Sequence, residues 1–251
     1  MIYFVGAGPG DPELMTVKGA RLVSSADVIV YAGSLVSQAV LEGCKPNAQL
    51  YNSAGMNFDE VMEVMVKAGR EKRTVVRLHT GDPAIYGAIQ EQMDALVQED
   101  LPFEVVPGVS SVFAAAAAIP HELTLPGLTQ TVIMTRLEGR TPVPEREKLR
   151  ELARHQCTLC IFLSINQIEQ VVAELLEGGF DPDTGVVVVE KASWPDQRVL
   201  KGTIKNAVKM VKEAGITRQA LILVSNVFDS DYQRSKLYDQ NFSHGFRGQV
   251  E

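Results

Sequence analysis

Three glycine-rich turns carry the residue types best suited to chemistry. They are Gly6-Ala7-Gly8-Pro9-Gly10-Asp11-Pro12, Thr80-Gly81-Asp82-Pro83-Ala84-Ile85-Tyr86-Gly87 and Pro107-Gly108-Val109-Ser110-Ser111. Glycine permits positive φ and a close approach of main chain to a ligand, and each turn adds a carboxylate or a hydroxyl. The first invites a dinucleotide reading but departs from that fingerprint, which needs a third glycine where Asp11 stands. A phosphate cradle depends on free backbone N–H groups facing the anion. Pro9 removes one such donor, and Asp11 puts negative charge where a pyrophosphate would lie. The turn suits a neutral or cationic ligand, or is a plain strand-to-helix connection. Gly81-Asp82-Pro83 alone is a generic turn signal; its recurrence after a second strand gives it more weight. Ser110 and Ser111 read as helix caps or as ligand contacts. The small side chains of Ala114–Ala118 suit a close ligand or ordinary helix propensity.

Such turns need strands behind them. Ile2–Val5, Asp27–Tyr31, Thr74–Leu78 and Phe103–Val106 are short apolar runs, and Thr16–Ser25, Phe58–Ala68 and Ile85–Val97 have helical spacing between them. Near-continuous apolar strands alternating with helices predict α/β architecture, with parallel strands covered on both faces. The pattern restarts with strands at Thr131–Thr135, Thr158–Leu163, Gly185–Glu190 and Ala220–Ser225, and helices at Ile168–Leu176 and Ile204–Glu213. Gln197–Leu200, after Trp194-Pro195-Asp196, reads as the return arm of a hairpin. Pro120 and Pro126-Gly127 mark a boundary, which predicts an N-terminal α/β domain over 1–119 and a C-terminal α/β domain over 120–251. Both lobes are expected to hold mostly parallel or mixed sheets, and clefts between lobes are common small-molecule sites. The tail from Asp229 has no periodicity and receives no assignment.

A hydrophobic fraction of 45% and a charged fraction of 22% describe a globular chain, not a disordered one. The formal charge of −7 speaks against a protein that wraps nucleic acid. Apolar stretches such as Val112–Ile119 are far shorter than the ~20 residues of a membrane helix. Met1–Val5 has no positive flank and meets glycine at once, unlike a secretory signal. Three cysteines are too few for a disulfide framework, so a reducing cytoplasm is expected. Cys157-x-x-Cys160 has redox or zinc spacing but runs into a predicted strand, where residues three apart face opposite ways. Buried small residues are expected there, and no metal site. His79, His121, His155 and His244 lie far apart, and His79 alone borders a glycine turn.

Taken together, the three turns resemble the tetrapyrrole methylase family, and Cys160-Ile161-Phe162-Leu163 and Val189-Glu190-Lys191-Ala192-Ser193-Trp194-Pro195-Asp196-Gln197-Arg198 continue the likeness. Within that family, Leu125-Pro126-Gly127-Leu128-Thr129-Gln130-Thr131 and Thr135-Arg136-Leu137-Glu138-Gly139-Arg140-Thr141-Pro142-Val143-Pro144 resemble the branch that methylates precorrin-4, or its cobalt form, at C11 in cobalamin biosynthesis. The tail segments Ser235-Lys236-Leu237-Tyr238-Asp239 and Ser243-His244-Gly245-Phe246-Arg247 fit that branch too.

The resemblance implies two α/β lobes with S-adenosylmethionine in the groove between them and S-adenosylhomocysteine as product. It implies cofactor contacts from Pro9, from Thr80, Gly81, Asp82 and Ile85, and from Ser110 and Ser111, with Leu163 and Ala192 added from the second half. Ala192 stands where relatives often carry glycine. The donor's sulfonium needs no phosphate cradle, and methyl transfer to an electron-rich ring carbon, in line with the breaking C–S bond, needs little acid–base machinery. No catalytic residue is assigned: where several relatives carry an aspartate, this chain reads Tyr31-Ala32-Gly33-Ser34-Leu35. The tetrapyrrole bears many carboxylate arms, so Arg77, Arg136, Arg140, Arg146 and Arg150 are candidates to grip them bidentately. Arg136 and Arg140 stand out, on either side of Gly139 in a loop after a strand. A homodimer acting on a small molecule is implied, with neither nucleic acid nor membrane as partner, and any cobalt belongs to the substrate. The alternatives are another methylase of the fold, such as one acting on uroporphyrinogen III, and a non-catalytic nucleotide-binding sensor.

Overall fold

A computed structural model describes residues 1–228, 231–235 and 242–243. The tail motifs over 236–239 and 244–247, with His244, lie outside the described residues. The chain divides into two compact units, Met1–Ala118 with Lys191–Arg198, and Ile119–Glu190 with Val199–Glu251. A contiguous division near residue 120 does not foresee the grouping of Lys191–Arg198 with the first unit.

In the first unit, β1 (Ile2–Gly6), β2 (Val28–Tyr31), β3 (Gln49–Asn52), β4 (Val75–His79) and β5 (Phe103–Val106) form one sheet in the order β3-β2-β4-β1-β5. Every pairing in it is parallel. The helices are α1 (Val17–Ser25), α2 (Phe58–Arg70), α3 (Gln90–Gln98) and α4 (Ser111–Ala118). Alternate residues of the central strands feed two cores. Ile2, Phe4, Val28, Val30 and Val75 pack with Met65 of α2 and Leu96 of α3. Val5, Ile29, Val76 and Leu78 pack with Val23 of α1. This two-sided burial is why the strands read as unbroken apolar runs. The ends of α1 and α2 follow local chemistry: Thr16 Oγ1 accepts from Gly19 N, and Asn57 forms a reciprocal capping box with Glu60.

Two elements differ from the sequence reading. The helix expected from Ile85 begins at Gln90. Asp82 Oδ1 accepts from Ala84 N, and Tyr86 and Ala88 take left-handed φ of 57° and 48°, which breaks the helix at its expected start. β3 is not foreseen from the sequence, being a four-residue edge strand with a mostly exposed, polar pattern.

The second unit holds β6 (Val132–Arg136), β7 (Thr158–Phe162), β8 (Gly185–Glu190), β9 (Arg198–Thr203) and β10 (Ala220–Val224), in the order β6-β7-β10-β8-β9. β6 runs parallel to β7, while β10 is antiparallel to both β7 and β8, so this sheet is mixed. β8 and β9 are neighbours, as the predicted hairpin requires. Helices α5 (Leu149–Ala153), α6 (Ile168–Glu177) and α7 (Ile204–Ala214) cover one face around Leu159, Ile161, Val188 and Ile222. No described helix is long and apolar enough to cross a membrane.

The parallel sheet buries two polar residues on β4. Arg77 Nε donates to Gln92 Oε1 at 3.1 Å, and Nη1 donates to Val30 O at 3.3 Å and Ser53 Oγ at 3.2 Å. Burial pushes its pKa down to about 10, so it stays charged at neutral pH. His79 is buried beside Phe4, and its Nε2 has no hydrogen-bond partner. Burial first, and Arg77 second, push the imidazole from its ordinary 6.5 down to about 3. As pH falls from 6.5 to 3, the unfolded chain takes up a proton that the folded chain refuses. The stability present above that window is therefore lost within it, at up to ~1.4 kcal/mol per pH unit from this group. Denaturant titrations at pH 7, 5.5 and 4 should show that slope, and His79→Phe should flatten it. An unchanged slope in the variant would assign the pH dependence elsewhere.

Candidate functional site

The sheet order makes β4, β1 and β5 neighbours, so their carboxyl-end turns, the three glycine turns of the sequence, lie side by side. Open α/β sheets present ligand sites at this edge. The turns are stitched by main chain. Ala7 N donates to His79 O at 2.7 Å, Gly8 N to Gly81 O at 3.3 Å and Gly81 N to Gly8 O at 2.8 Å. Gly8 and Gly81 make these bonds at φ of 72° and 61°, a region that disfavours any side chain. Gly6 and Gly108 press together: a Cβ on Gly108 would lie 2.7 Å from Gly6 Cα and closer still to the Gly81 carbonyl. Asp82 ties the set together, accepting from Gly108 N through Oδ2 and from Ala84 N through Oδ1, both at 2.8 Å. It is a joint between turns as well as a candidate ligand contact.

Several N–H groups at this edge are already used. Gly8, Gly81 and Gly108 donate within the stitching, Pro9 has no donor, and Asp11 N donates to Ser193 Oγ at 3.0 Å. These donors are not free for a phosphate, in agreement with the departure of the first turn from the dinucleotide fingerprint. Around it, Pro9 and Ser110 are buried, Thr80 and Ser111 are half-buried, and Ile85 is exposed. Ser110 Oγ accepts from Val112 N at 3.4 Å at the start of α4.

Ala192 is buried in the Lys191–Arg198 segment that groups with this unit. The same segment carries Trp194, whose Nε1 donates to Pro9 O at 2.9 Å. Neither Trp194 nor Ser193 is foreseen as a contact from the sequence. A tryptophan beside Pro-Asp in a strand-to-strand turn was the available signal.

In the second unit, Leu163 follows β7 at φ 54° and is 62% exposed. A left-handed, exposed leucine is costly in isolation and is a common mark of ligand-contacting loops. Arg136, at the end of β6, turns back on its own loop: Nη1 donates to Leu137 O at 3.0 Å and Thr141 O at 3.2 Å, and Nη2 to Pro142 O at 3.2 Å. Ser164 Oγ accepts from Leu137 N at 2.8 Å, fixing the loop's first residue. Arg140 is exposed. Among the other arginine candidates, Arg150 lies 3.8 Å from Glu177, Arg146 lies 3.9 Å from Glu147, and Arg77 is buried in the first sheet. Cys157 joins the helix-covered core, while Cys160 is buried outside that cluster. Burial pushes the Cys160 thiol up to about 12 and raises that of Cys157. No group of His, Cys, Asp and Glu among the described residues is placed to hold a metal.

A family model described as Tetrapyrrole (Corrin/Porphyrin) Methylases matches residues 1–208. The chain is 55% identical over 247 residues to the cobalt-precorrin-4 C(11)-methyltransferase of Methanocaldococcus jannaschii, covering 98% of this chain and 95% of that one. It is similar to the X-ray structure of a cobalamin biosynthetic enzyme, cobalt precorrin-4 methyltransferase. The TM-score is 0.89 and the identity 52%, over 91% of this chain and 96% of that one. A uroporphyrin-III C-methyl transferase from Thermus thermophilus, complexed with S-adenosylhomocysteine, matches with TM-score 0.77 and 31% identity, over 90% and 97% of the two chains.

The stitched edge gives a direct test. In Gly108→Ala the new methyl meets main chain on both sides, which cannot rotate away, so a loss of about 3 kcal/mol is expected. Gly139→Ala, where a Cβ meets nothing within 4 Å, should be near neutral. Equal midpoints in denaturant would show that the turns are not packed main chain on main chain.

Proposed function

The chain belongs to the tetrapyrrole (corrin/porphyrin) methylases, and from that premise we propose that it transfers a methyl group from S-adenosylmethionine to C11 of cobalt-precorrin-4 or precorrin-4. The near-full-length likeness to C(11)-methyltransferases carries this reading, and the stitched strand edge agrees with it. The donor supplies a methyl already activated by sulfonium. The ring carbon's electron pair forms the new C–C bond, and the C–S pair stays on sulfur.

The chain's part is to hold and orient. In this reading Pro9, Thr80, Gly81, Asp82, Ile85, Ser110 and Ser111 line the cofactor from the three turns, and Leu163 and Ala192 contact it from their loops. Fixed turns suit this task, because near-attack positioning alone can lower a barrier by ~7–11 kcal/mol at its favourable limit. Arg140 offers its guanidinium to the substrate's carboxylate arms, and Arg136 serves the same arms by holding the 137–142 loop that presents Arg140. A cytoplasmic homodimer without nucleic-acid or membrane partner completes the reading. The formal charge of −7 supports the lack of a nucleic-acid partner.

Incubation with cobalt-precorrin-4 and S-adenosylmethionine labelled in its methyl group should give a product heavier by one labelled methyl, located at C11 by NMR. Label at another ring position would reassign the enzyme within its family. S-adenosylhomocysteine, and not NAD, should raise the melting temperature, by the equivalent of about 2.7 kcal/mol at a hundredfold excess over Kd. Arg140→Ala should raise KM for the tetrapyrrole roughly tenfold, the worth of one lost charge-assisted contact, and leave affinity for S-adenosylhomocysteine unchanged. An unaltered KM would remove Arg140 from the site.

A further inference from the structure

Between β8 and β9, the segment Lys191–Arg198 is built as a rigid fitting against the first glycine turn. Lys191 and Ser193 hold left-handed φ of 49° and 69°. Trp194 N donates to Lys191 O at 2.9 Å, Gln197 N to Trp194 O at 3.1 Å and Ser193 N to Gln197 Oε1 at 2.7 Å. Lys191 pairs with Asp196 and sets its ammonium 5.6 Å from the centre of the indole. Two bonds then reach the turn: Trp194 Nε1 to Pro9 O at 2.9 Å, and Asp11 N to Ser193 Oγ at 3.0 Å. Between them the indole fills the place of a side chain at Gly10, where a Cβ would overlap the ring and stand 2.9 Å from its Cγ.

We propose that Trp194, with Ser193, is a positioning residue for methyl transfer: it fixes the Pro9–Asp11 turn in the shape that receives S-adenosylmethionine. This rests on the cofactor reading given above. Gly8 is stitched to Gly81 and Asp11 accepts from Glu13 and Leu14, but the Pro9–Gly10 step between them has few means of its own to hold shape. Pro9 has no N–H, and Gly10 has the widest conformational freedom of any residue. The donor lost at Pro9 and the freedom gained at Gly10 are answered by one indole, which binds the carbonyl of the first and occupies the side-chain space of the second. Ala192, two residues before the indole, is carried by the same fitting, so both sides of the cofactor contact are set by one piece of chain.

The test measures the affinity of the full chain for S-adenosylhomocysteine by calorimetry, with kcat and both KM values from the labelled-methyl assay. Trp194→Phe keeps a ring and removes the N–H. It should raise Kd for S-adenosylhomocysteine and KM for S-adenosylmethionine about fivefold, the worth of one hydrogen bond, and leave KM for the tetrapyrrole unchanged. Gly10→Ala, which displaces the indole from the opposite side, should reproduce that signature. If Trp194→Phe does not fold, Ser193→Ala, which removes only the acceptor for Asp11 N, carries the same expectation. A variant that melts earlier yet binds S-adenosylhomocysteine as the wild type does, well below its melting point, overturns the proposal and leaves Trp194 as packing. A wild-type chain that binds no S-adenosylhomocysteine overturns the cofactor reading first, and this inference with it.

Discussion

The contact of main chain with main chain at Gly6, Gly81 and Gly108 is the constraint on which the candidate site depends. Three parallel strands can end side by side only if their exit turns do not collide, and any Cβ at Gly6 or Gly108 would collide with backbone. Removing the side chains lets the turns close onto one another, and closure uses their N–H groups internally. The geometry thereby selects among ligands. Donors used in that closure are not free to hold a phosphate, yet a ligand recognised through shape and side chains loses nothing by it. The Asp82 carboxylate acts in the same way, since it satisfies two backbone donors that would otherwise be left unpaired.

The two units solve the problem of a buried sheet differently. The first keeps every strand parallel and covers both faces, so its apolar runs are continuous. The second inserts β10 antiparallel between β7 and β8 and packs three helices on one face. Chemistry-bearing groups collect where regular structure stops: at the ends of β1, β4 and β5 in the first unit, and just after β6 and β7 in the second. Rigid strands supply precision there, and the turns supply the variety. Inside the first sheet, the Arg77 charge sits among uncharged acceptors, and the neighbouring imidazole is held neutral.

Much of this was legible in the sequence because it is local. Gly-Pro-Gly-Asp and Gly-Asp-Pro mark turns through fixed dihedral needs, and strands buried on both faces declare themselves by unbroken Val and Ile. The adjacency of the three turns was not legible, since the order β3-β2-β4-β1-β5 depends on pairings between distant segments. The late start of α3 has a different reason: Tyr86 and Ala88 adopt left-handed backbone without being glycine, so Gly87 between them is the one residue type that marks the break. Arg136 shows a third limit. Its position in a loop after a strand was plain from sequence, but the carbonyls that occupy its guanidinium come from the fold of residues that follow it. Continuity in sequence puts Lys191–Arg198 in the second half, and its tertiary contacts place it with the first.

The indole seated on Pro9 and Gly10 is the chain's single tryptophan. Ultraviolet emission excited at the red edge of the absorption band therefore arises from one known address, with a lysine ammonium above the ring and a peptide carbonyl at its nitrogen. Nature has placed an optical label on the first glycine turn, and the molecule can be watched there without attaching a dye.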